Sequence, residues 1–283
     1  VDEVTFAHPK DMQDGIIDLS KGDITTNLPY NENVFISFDH HWSEVERIGH
    51  QPDNLILDAE APSAARVVYD YFGGGKTFPK VSEEMLHAVD KADSAAFTKD
   101  DIINPTGWEL LSFIMDARTG LGRFRNFRIS NYQLMMELID YCRDASDIDK
   151  ILQLPDIKER VDLYFEHEEK FKDQLKRCFR QDGNVGIIDL RNEQTIWPGN
   201  RFMVYALNPD INISIHVMWG KNRQNTVFAV GKSILNKTSN TNVGELMLKY
   251  GGGGHKAAGT CQVDNLRANQ YLQEVIEQIK KDG

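Results

Sequence analysis

The sequence predicts an α/β protein with a parallel-sheet N-terminal domain, a helical connector and a smaller α+β C-terminal domain. The first part of the chain alternates short apolar runs with helical patterns, as parallel α/β units do. From Asn184 onward, turn-forming residues separate apolar runs of strand length, which is typical of a β-rich domain. The length of 283 residues also exceeds one average domain of roughly 150. We place the three parts at residues 1–125, 126–183 and 184–283.

In the first domain, residues 34–38 form a compact apolar run that predicts a buried strand, and residues 54–57 form a weaker one. Residues 63–72 carry apolar side chains at helical spacing after a Pro-Ser start, which predicts a helix. The glycines at 73–75 follow that helix and are interpreted as its C-terminal turn. Residues 4–7 resemble a strand.

The middle of the chain is predominantly helical in pattern, over residues 107–117 and 130–182. Residues 158–180 are heavily charged and free of Gly and Pro, which predicts a solvent-exposed helix that bridges two domains. The strands predicted in the last domain are residues 185–188, 201–206, 213–219 and 226–230.

Charge and composition narrow the class of partner. A net charge of −11 argues against binding long nucleic acid, since that affinity comes mainly from Lys and Arg contacts to phosphates. Small phosphorylated substrates remain compatible, because clustered carboxylates can hold cations that reverse the local field. No run approaches the roughly 18 apolar residues of a membrane helix, so we expect no membrane partner. The widely spaced cysteines indicate free thiols in a reducing cytoplasm: Cys142, Cys178 and Cys261.

The motif Asp39-His40-His41 follows directly on the apolar run that ends at Phe38. Open α/β sheets bind their ligands at the carboxyl ends of strands, which is where this motif is predicted to lie. A carboxylate with two imidazoles suits an ion such as Mn²⁺. The alternative is a helix-capping Asp followed by two surface histidines.

Further carboxylates flank this motif. Asp23 lies upstream at the end of a short apolar segment, and Asp90 and Asp93 lie downstream in a helical pattern. At spacing i and i+3 the latter two share one face of a helix, although such residues are often a solvated face. Together these segments can supply oxygen and nitrogen ligands to one or two metal ions, with Asp23 placed to bridge them.

A second motif is the run of four glycines followed by His255 and Lys256. Successive glycines can expose backbone N–H groups without side-chain obstruction, and such a nest binds anions. The alternative is a flexible linker. The spacing fits neither the Walker loop nor the dinucleotide-binding fingerprint.

Together the two motifs resemble the DHH phosphoesterases, whose second half is a DHH-associated domain with a Gly-Gly-Gly-His sequence. The resemblance runs from about Asp23 to the C-terminus. It implies a metal-binding catalytic domain over residues 1–125 and a substrate-binding domain over residues 184–283. The family includes exonucleases, nano-RNases, cyclic-dinucleotide phosphodiesterases, and pyrophosphatases or polyphosphatases.

The resemblance also implies roles for single residues. Asp23 would be the metal-bridging aspartate, His40 a direct metal ligand and Asp90 the last metal-binding aspartate. Asp39 and His41 would orient the site and meet the scissile phosphate. The residues implied in substrate binding are Lys232, Ser233, Asn236, Gly252, Gly253, Gly254 and His255.

One family feature is missing, because no Asp-x-Asp loop precedes Asp23. Either an N-terminal segment that carries it is absent from this sequence or the protein has lost one metal site. The start at Val1 favours the first expectation.

The function implied is two-metal hydrolysis of short oligonucleotides or linear dinucleotides such as pGpG to mononucleotides, of the 3′–5′ oligonucleotidase type. Two Mn²⁺ ions are expected as cofactors, with Mg²⁺ as an alternative. A homodimer is compatible with this interpretation. The rival functions are a pyrophosphatase or short-chain exopolyphosphatase, and a non-catalytic nucleotide-binding regulator.

Overall fold

The computed structural model describes residues 1–124, 126–144 and 147–283. The strands are β1 (Ile24–Thr26), β2 (Ile36–Asp39), β3 (Leu55–Leu57), β4 (Phe179–Asp182), β5 (Val185–Asp189), β6 (Ile213–Trp219), β7 (Thr226–Lys232), β8 (Gly253–Gly254) and β9 (Ala258–Val263). The helices are α1 (Pro9–Gln13), α2 (Trp42–Ile48), α3 (Ala64–Tyr71), α4 (Glu83–Asp93), α5 (Lys99–Ile103), α6 (Gly107–Met115), α7 (Asn131–Asp144), α8 (Ile148–Leu152), α9 (Pro155–Cys178), α10 (Met203–Leu207), α11 (Val243–Leu248) and α12 (Ala268–Asp282).

The chain forms two compact units, the first of which combines Val1–Ala96 with Ile129–Gln153. Its sheet has the order β1-β2-β3, and both pairings are parallel. Phe38 on the central strand is 1% exposed, so β2 lies at the centre of this unit's core. The side chain of Ser63 accepts a hydrogen bond at the start of α3, as the Pro-Ser signal predicts.

The second unit combines Phe97–Arg128 with Leu154–Gly283. Its mixed sheet has the order β4-β5-β6-β7-β9-β8, in which β5 and β6 are parallel and the other neighbours antiparallel. One face of this sheet packs against α11 and α12, and together they form a contiguous apolar core. The predicted α/β class is therefore confirmed. The boundaries near residues 125 and 183 remain predictions.

Three local predictions are wrong. The sequence predicts a strand over residues 201–206, but α10 occupies this region, and its side chains from Met203 to Ala206 are all buried. A segment buried on every side carries no helical periodicity to separate it from a buried strand. Residues 4–7 form no strand, and Phe6 packs on Tyr132 instead.

The long helix α9 is the third difference, because it is not a fully solvated rod. It buries Ile157, Tyr164, His167 and Leu175 along one side within the second unit. Most of its charged residues lie on the exposed side, although Arg160 is fully buried, and their number conceals the buried apolar stripe in the sequence. Among the residues that the structure describes, no helix is both long enough and apolar enough to span a bilayer.

Candidate functional site

Asp39 is the last residue of β2, and its carboxylate organises the turn that follows. The side chain is buried, and its Oδ1 accepts hydrogen bonds from the backbone N–H groups of His40 at 2.8 Å and His41 at 3.2 Å. The same oxygen lies 2.8 Å from Nδ1 of the His41 ring. One carboxylate therefore fixes the backbone of both histidines and the orientation of the second ring.

His41 is the half-exposed member of the motif, with 47% of its side chain accessible. The hydrogen bond that the His41 ring donates to Asp39 raises the pKa of His41, and the nearby charges of Asp39, Asp93 and Glu44 act in the same direction against the effect of burial. The imidazolium form is thus favoured beyond the usual pH range of histidine. A positive ring at the carboxyl edge of a sheet suits a phosphate oxygen.

His40 is held between a backbone carbonyl and a carboxylate. Its Nδ1 donates to the carbonyl of Ala61 at 3.1 Å, and its Nε2 lies 3.2 Å from Oδ2 of Asp93. The distance between His40 Nε2 and Asp93 Oδ2 is short enough for an ion pair. The angles do not suit a hydrogen bond, however, and the buried Nε2 has no hydrogen-bond partner among the described residues. In a neutral ring with the proton on Nδ1, Nε2 is an acceptor that faces another acceptor. A cation bound between the two atoms would satisfy both.

The His40 and Asp93 pair fits a divalent metal ion. Metal-binding histidines usually donate their other ring N–H to a carbonyl, as His40 does to Ala61. Two ligands at right angles and about 2.1 Å from one ion would be about 3.0 Å apart, close to the measured 3.2 Å. Within residues 1–124, 126–144 and 147–283, however, no group of three or more His, Cys, Asp or Glu residues is placed to hold a metal.

Asp90, the ligand implied by the family resemblance, lies in a different set of contacts. Its Oδ2 accepts from Nε and Nη2 of Arg66 at 3.0 and 2.5 Å, and its Oδ1 accepts from the Ser63 hydroxyl at 2.7 Å. This bidentate pair ties α4 to the start of α3. Both carboxylate oxygens of Asp90 bond protein groups. The role of Asp90 as a metal ligand therefore remains a prediction.

Asp23 is not brought to the cluster around His40. It directly precedes β1, and its backbone carbonyl accepts from the N–H of Phe35. Because β1 and β2 are parallel, Asp23 lies at the amino edge of the sheet, about 13 Å along the strand direction from Asp39. Its carboxylate accepts from the backbone and hydroxyl of Ser20, which lowers the pKa of Asp23. The bridging role remains a prediction.

Other polar residues share the carboxyl edge of the first sheet with Asp39. The N–H of Asn27 bonds the carbonyl of Phe38, and the N–H of Asp58 bonds that of Asp39. Asp58 directly follows the apolar run of β3, so the sequence signal that selected Asp39 would have found it. In the sequence, Asp93 fits a solvated helix face, and only the fold places it beside His40.

The glycine run lies in the second unit and is an ordered element. The N–H groups of Gly251 and Gly252 bond carbonyls of the last turn of α11, and Gly253–Gly254 then pair with β9 as β8. A Cβ at Gly252 would overlap the carbonyl oxygen of Thr260. Glycine is required here because β9 passes so closely. His255 follows at an exposed turn.

Lys232 and Ser233 lie beside that turn. The backbone N–H of Lys232 bonds the carbonyl of Ala257, which joins the end of β7 to the turn after β8. Burial and the neighbouring Lys256 both lower the pKa of Lys232. The hydroxyl of Ser233 accepts from the N–H of Asn236 at 2.9 Å. The structure thus places Lys232 beside Lys256 and the turn that carries His255, and these three residues are called the basic cluster. Their charge is consistent with anion binding.

A parallel sheet that ends in an Asp-His-His turn, with a second unit that carries the glycine run, is the arrangement expected of a DHH phosphoesterase. The chain is similar over its full length to a solved pGpG-specific phosphodiesterase, PggH, from Vibrio cholerae: 56% sequence identity, a TM-score of 0.87, and coverage of 100% of this chain and 92% of the other. The chain therefore belongs to the same family, the DHH phosphoesterases.

Two more distant solved structures also match. One is an exopolyphosphatase-related protein from Bacteroides fragilis, 15% identical over 87% of this chain and 64% of the other, with a TM-score of 0.48. The other is a DHH domain described as belonging to a family of ribosomal proteins, 10% identical over 88% and 70%, with a TM-score of 0.46. No family model matches the chain. No curated protein matches it either.

Proposed function

We propose that this protein hydrolyses the linear dinucleotide pGpG to GMP with Mn²⁺ as its cofactor. The observation that carries the proposal is the 56% identity over the whole chain with a phosphodiesterase described as pGpG-specific. In the reaction, water adds to the phosphorus of the internucleotide bond and the P–O3′ bond breaks. The departing 3′ oxygen takes a proton, so pGpG and water give two GMP.

The residues of the first unit would act on the scissile phosphate. His40 and Asp93 would hold one metal ion, and the ion supplies activation of water and neutralisation of phosphoryl charge when bound. Asp39 keeps the His41 ring in place, and the raised pKa of His41 favours the charged ring that binds a phosphate oxygen. The resemblance leads us to expect a second ion.

The basic cluster of the second unit would bind a phosphate group. Lys232 and Lys256 supply positive charge, and His255 supplies a further polar ring at the exposed turn. Such a cluster adds affinity for a phosphorylated substrate. We expect cleavage of dinucleotides and short oligonucleotides in preference to long strands, and action in the reducing cytoplasm that suits three free cysteines.

The test compares substrates on metal-free protein reloaded with Mn²⁺ or Mg²⁺. We expect release of GMP from pGpG, with lower kcat/KM on a five-nucleotide RNA and on pyrophosphate, and loss of activity with chelator. Faster cleavage of pyrophosphate would show a pyrophosphatase, and binding of pGpG without cleavage would show a regulator. Either result would overturn the proposal.

Two variants then test the residue roles. His40→Ala should abolish turnover and leave the melting temperature nearly unchanged, whereas His50→Ala, which removes an exposed histidine outside the cluster, should keep both. His255→Ala should mainly raise KM, because it acts on binding. Retained turnover with bound Mn²⁺ in His40→Ala would contradict its role as a ligand.

A further inference from the structure

The mixed sheet of the second unit has one face packed by helices and one face that is partly open. Along β6, Ile213, Ile215 and Val217 point into the apolar core. Since side chains alternate between the faces of a strand, Ser214 and His216 point to the other face. Ser214 is buried there against the hydroxyl of Tyr205, while His216 is partly exposed.

The strand register aligns His216 with the glycine run. His216 pairs with Ala229 on β7, Ala229 pairs with Thr260 on β9, and Thr260 pairs with Gly253 on β8. Strands lie roughly 4.8 Å apart, so this row extends about 14 Å from His216 to Gly253. We call these four residues the His216 row. Beyond His216 the row closes at Ile188, which is fully buried.

The side chains of the row differ in size and exposure. Ala229 has only a methyl group and is partly exposed, Thr260 is larger and exposed, and Gly253 is partly exposed with open space where a Cβ would stand. The methyl group of Ala229 therefore forms the floor of a shallow trough between the larger side chains of His216 and Thr260. The glycine end of the row meets the basic cluster, because Gly253 is followed by the turn that bonds Lys232.

The His216 ring makes no hydrogen bond to any of the residues that the structure describes, although it stands on a polar face. Burial lowers the pKa of His216 to about 4, so the ring is neutral at physiological pH. A neutral imidazole offers one N–H donor and one acceptor nitrogen. Both groups are available for a ligand with a matching polar edge and a flat apolar body.

We infer that the His216 row is a nucleobase platform, in which a guanine lies over Ala229 and His216 hydrogen-bonds the base edge while the phosphate occupies the basic cluster. The inference rests on the proposed function, which supplies the guanine dinucleotide. Guanine presents N7 and O6 as adjacent acceptors, whereas adenine presents an amino donor beside N7. A His216 donor directed at O6 favours guanine, because adenine carries an amino donor at that position. His216 is a specificity residue in this arrangement and takes no part in the bond cleavage.

Steady-state kinetics on pGpG and pApA test this role. His216→Ala should raise KM for pGpG about tenfold, as expected for one hydrogen bond, with kcat within about twofold, and should narrow the preference for pGpG over pApA. Gln262→Ala is the matched control, since Gln262 is exposed on the same face but pairs with Val227 outside the row. It should leave KM for both dinucleotides unchanged. An unchanged KM in His216→Ala, or a loss confined to kcat, would overturn the inference.

A second variant covers the case in which His216→Ala does not fold. Ala229→Leu adds bulk to the floor of the trough without removing a polar group, and it should raise KM for pGpG by blocking the base. Titration of GMP, followed by the imidazole NMR signals of wild-type protein, separates the two proposals. A shifted His216 signal without pGpG hydrolysis would leave the platform standing and reject the proposed reaction. Hydrolysis with no shift in this signal would reject the platform alone.

Discussion

Replacing Asp90 and Asp93 separately decides which carboxylate of α4 serves the metal and which serves the fold. Asp90 shares a bidentate contact with Arg66, and the two side chains are only 11% and 18% exposed. Removing one partner of a buried ion pair costs about 3–5 kcal/mol, because the other charge is left uncompensated. The remaining exposure places Asp90→Asn at the lower end of that range, at about 3 kcal/mol.

That loss converts to a thermal shift that is easily measured. For domains of 150–250 residues, one kcal/mol corresponds to about 2–4 °C, so Asp90→Asn should melt roughly 6–12 °C lower than wild type. Asp93→Asn removes a partly buried carboxylate with no hydrogen-bonded partner at His40, and should cost less than about 1 kcal/mol. Its Mn²⁺ affinity should instead fall by at least about tenfold, since even indirect partners of a metal contribute that much.

The assay is a melt followed by circular dichroism in the presence of chelator, so that bound metal does not add to stability. Calorimetric titration with Mn²⁺ then gives the affinity of each variant. If Asp90→Asn keeps its melting temperature and loses Mn²⁺ binding while Asp93→Asn binds normally, Asp90 is the ligand that the family resemblance implies. The structural role inferred from the Arg66 contact would then be refuted.

Three further outcomes follow from the local geometry. Gly252→Ala should destabilise the chain, because its Cβ would overlap a backbone oxygen of β9, whereas Gly253→Ala has open space and should be nearly neutral; equal urea midpoints would contradict this. Asp39→Asn should lower the pKa of His41 in an NMR titration, since Asp39 is the main cause of its increase, and an unchanged value would exclude that cause. The free energy of unfolding should fall as the pH drops from about 6.5 towards about 4, because the unfolded chain binds a proton at His216 that the folded chain does not. His216→Asn should remove this component, and an identical pH profile would show that other groups dominate.

The parts of the fold that could be predicted are those with an unambiguous pattern. The dense apolar run before Asp39 and the helical spacing after Ser63 appear in the structure as β2 and α3. The segment that forms α10 could not be assigned, because burial on all sides removes periodicity. The Asp-His-His turn and the glycine run could be found in the sequence because each consists of consecutive residues of unusual composition.

The partners of the acidic residues could not be predicted, because they depend on how elements pack. Asp90 and Asp93 share a helix face in the sequence, yet one meets Arg66 and the other meets His40. Asp23 precedes β1 instead of following it. It therefore lies at the amino edge of the sheet, opposite to the edge that carries Asp39. The interpretation of Asp23 therefore depends on where the strand boundary lies.

The glycine run has a consequence for how a ligand is captured. Four glycines in sequence suggest a slack loop, but here they end α11 and form a strand of the sheet, so movement of this segment would break both. The glycine run is therefore already ordered before a ligand arrives, and little chain entropy is lost when an anion binds. Anion binding at the glycine run should follow lock-and-key kinetics, with association rates that depend on diffusion and ionic strength and not on a slow closing step.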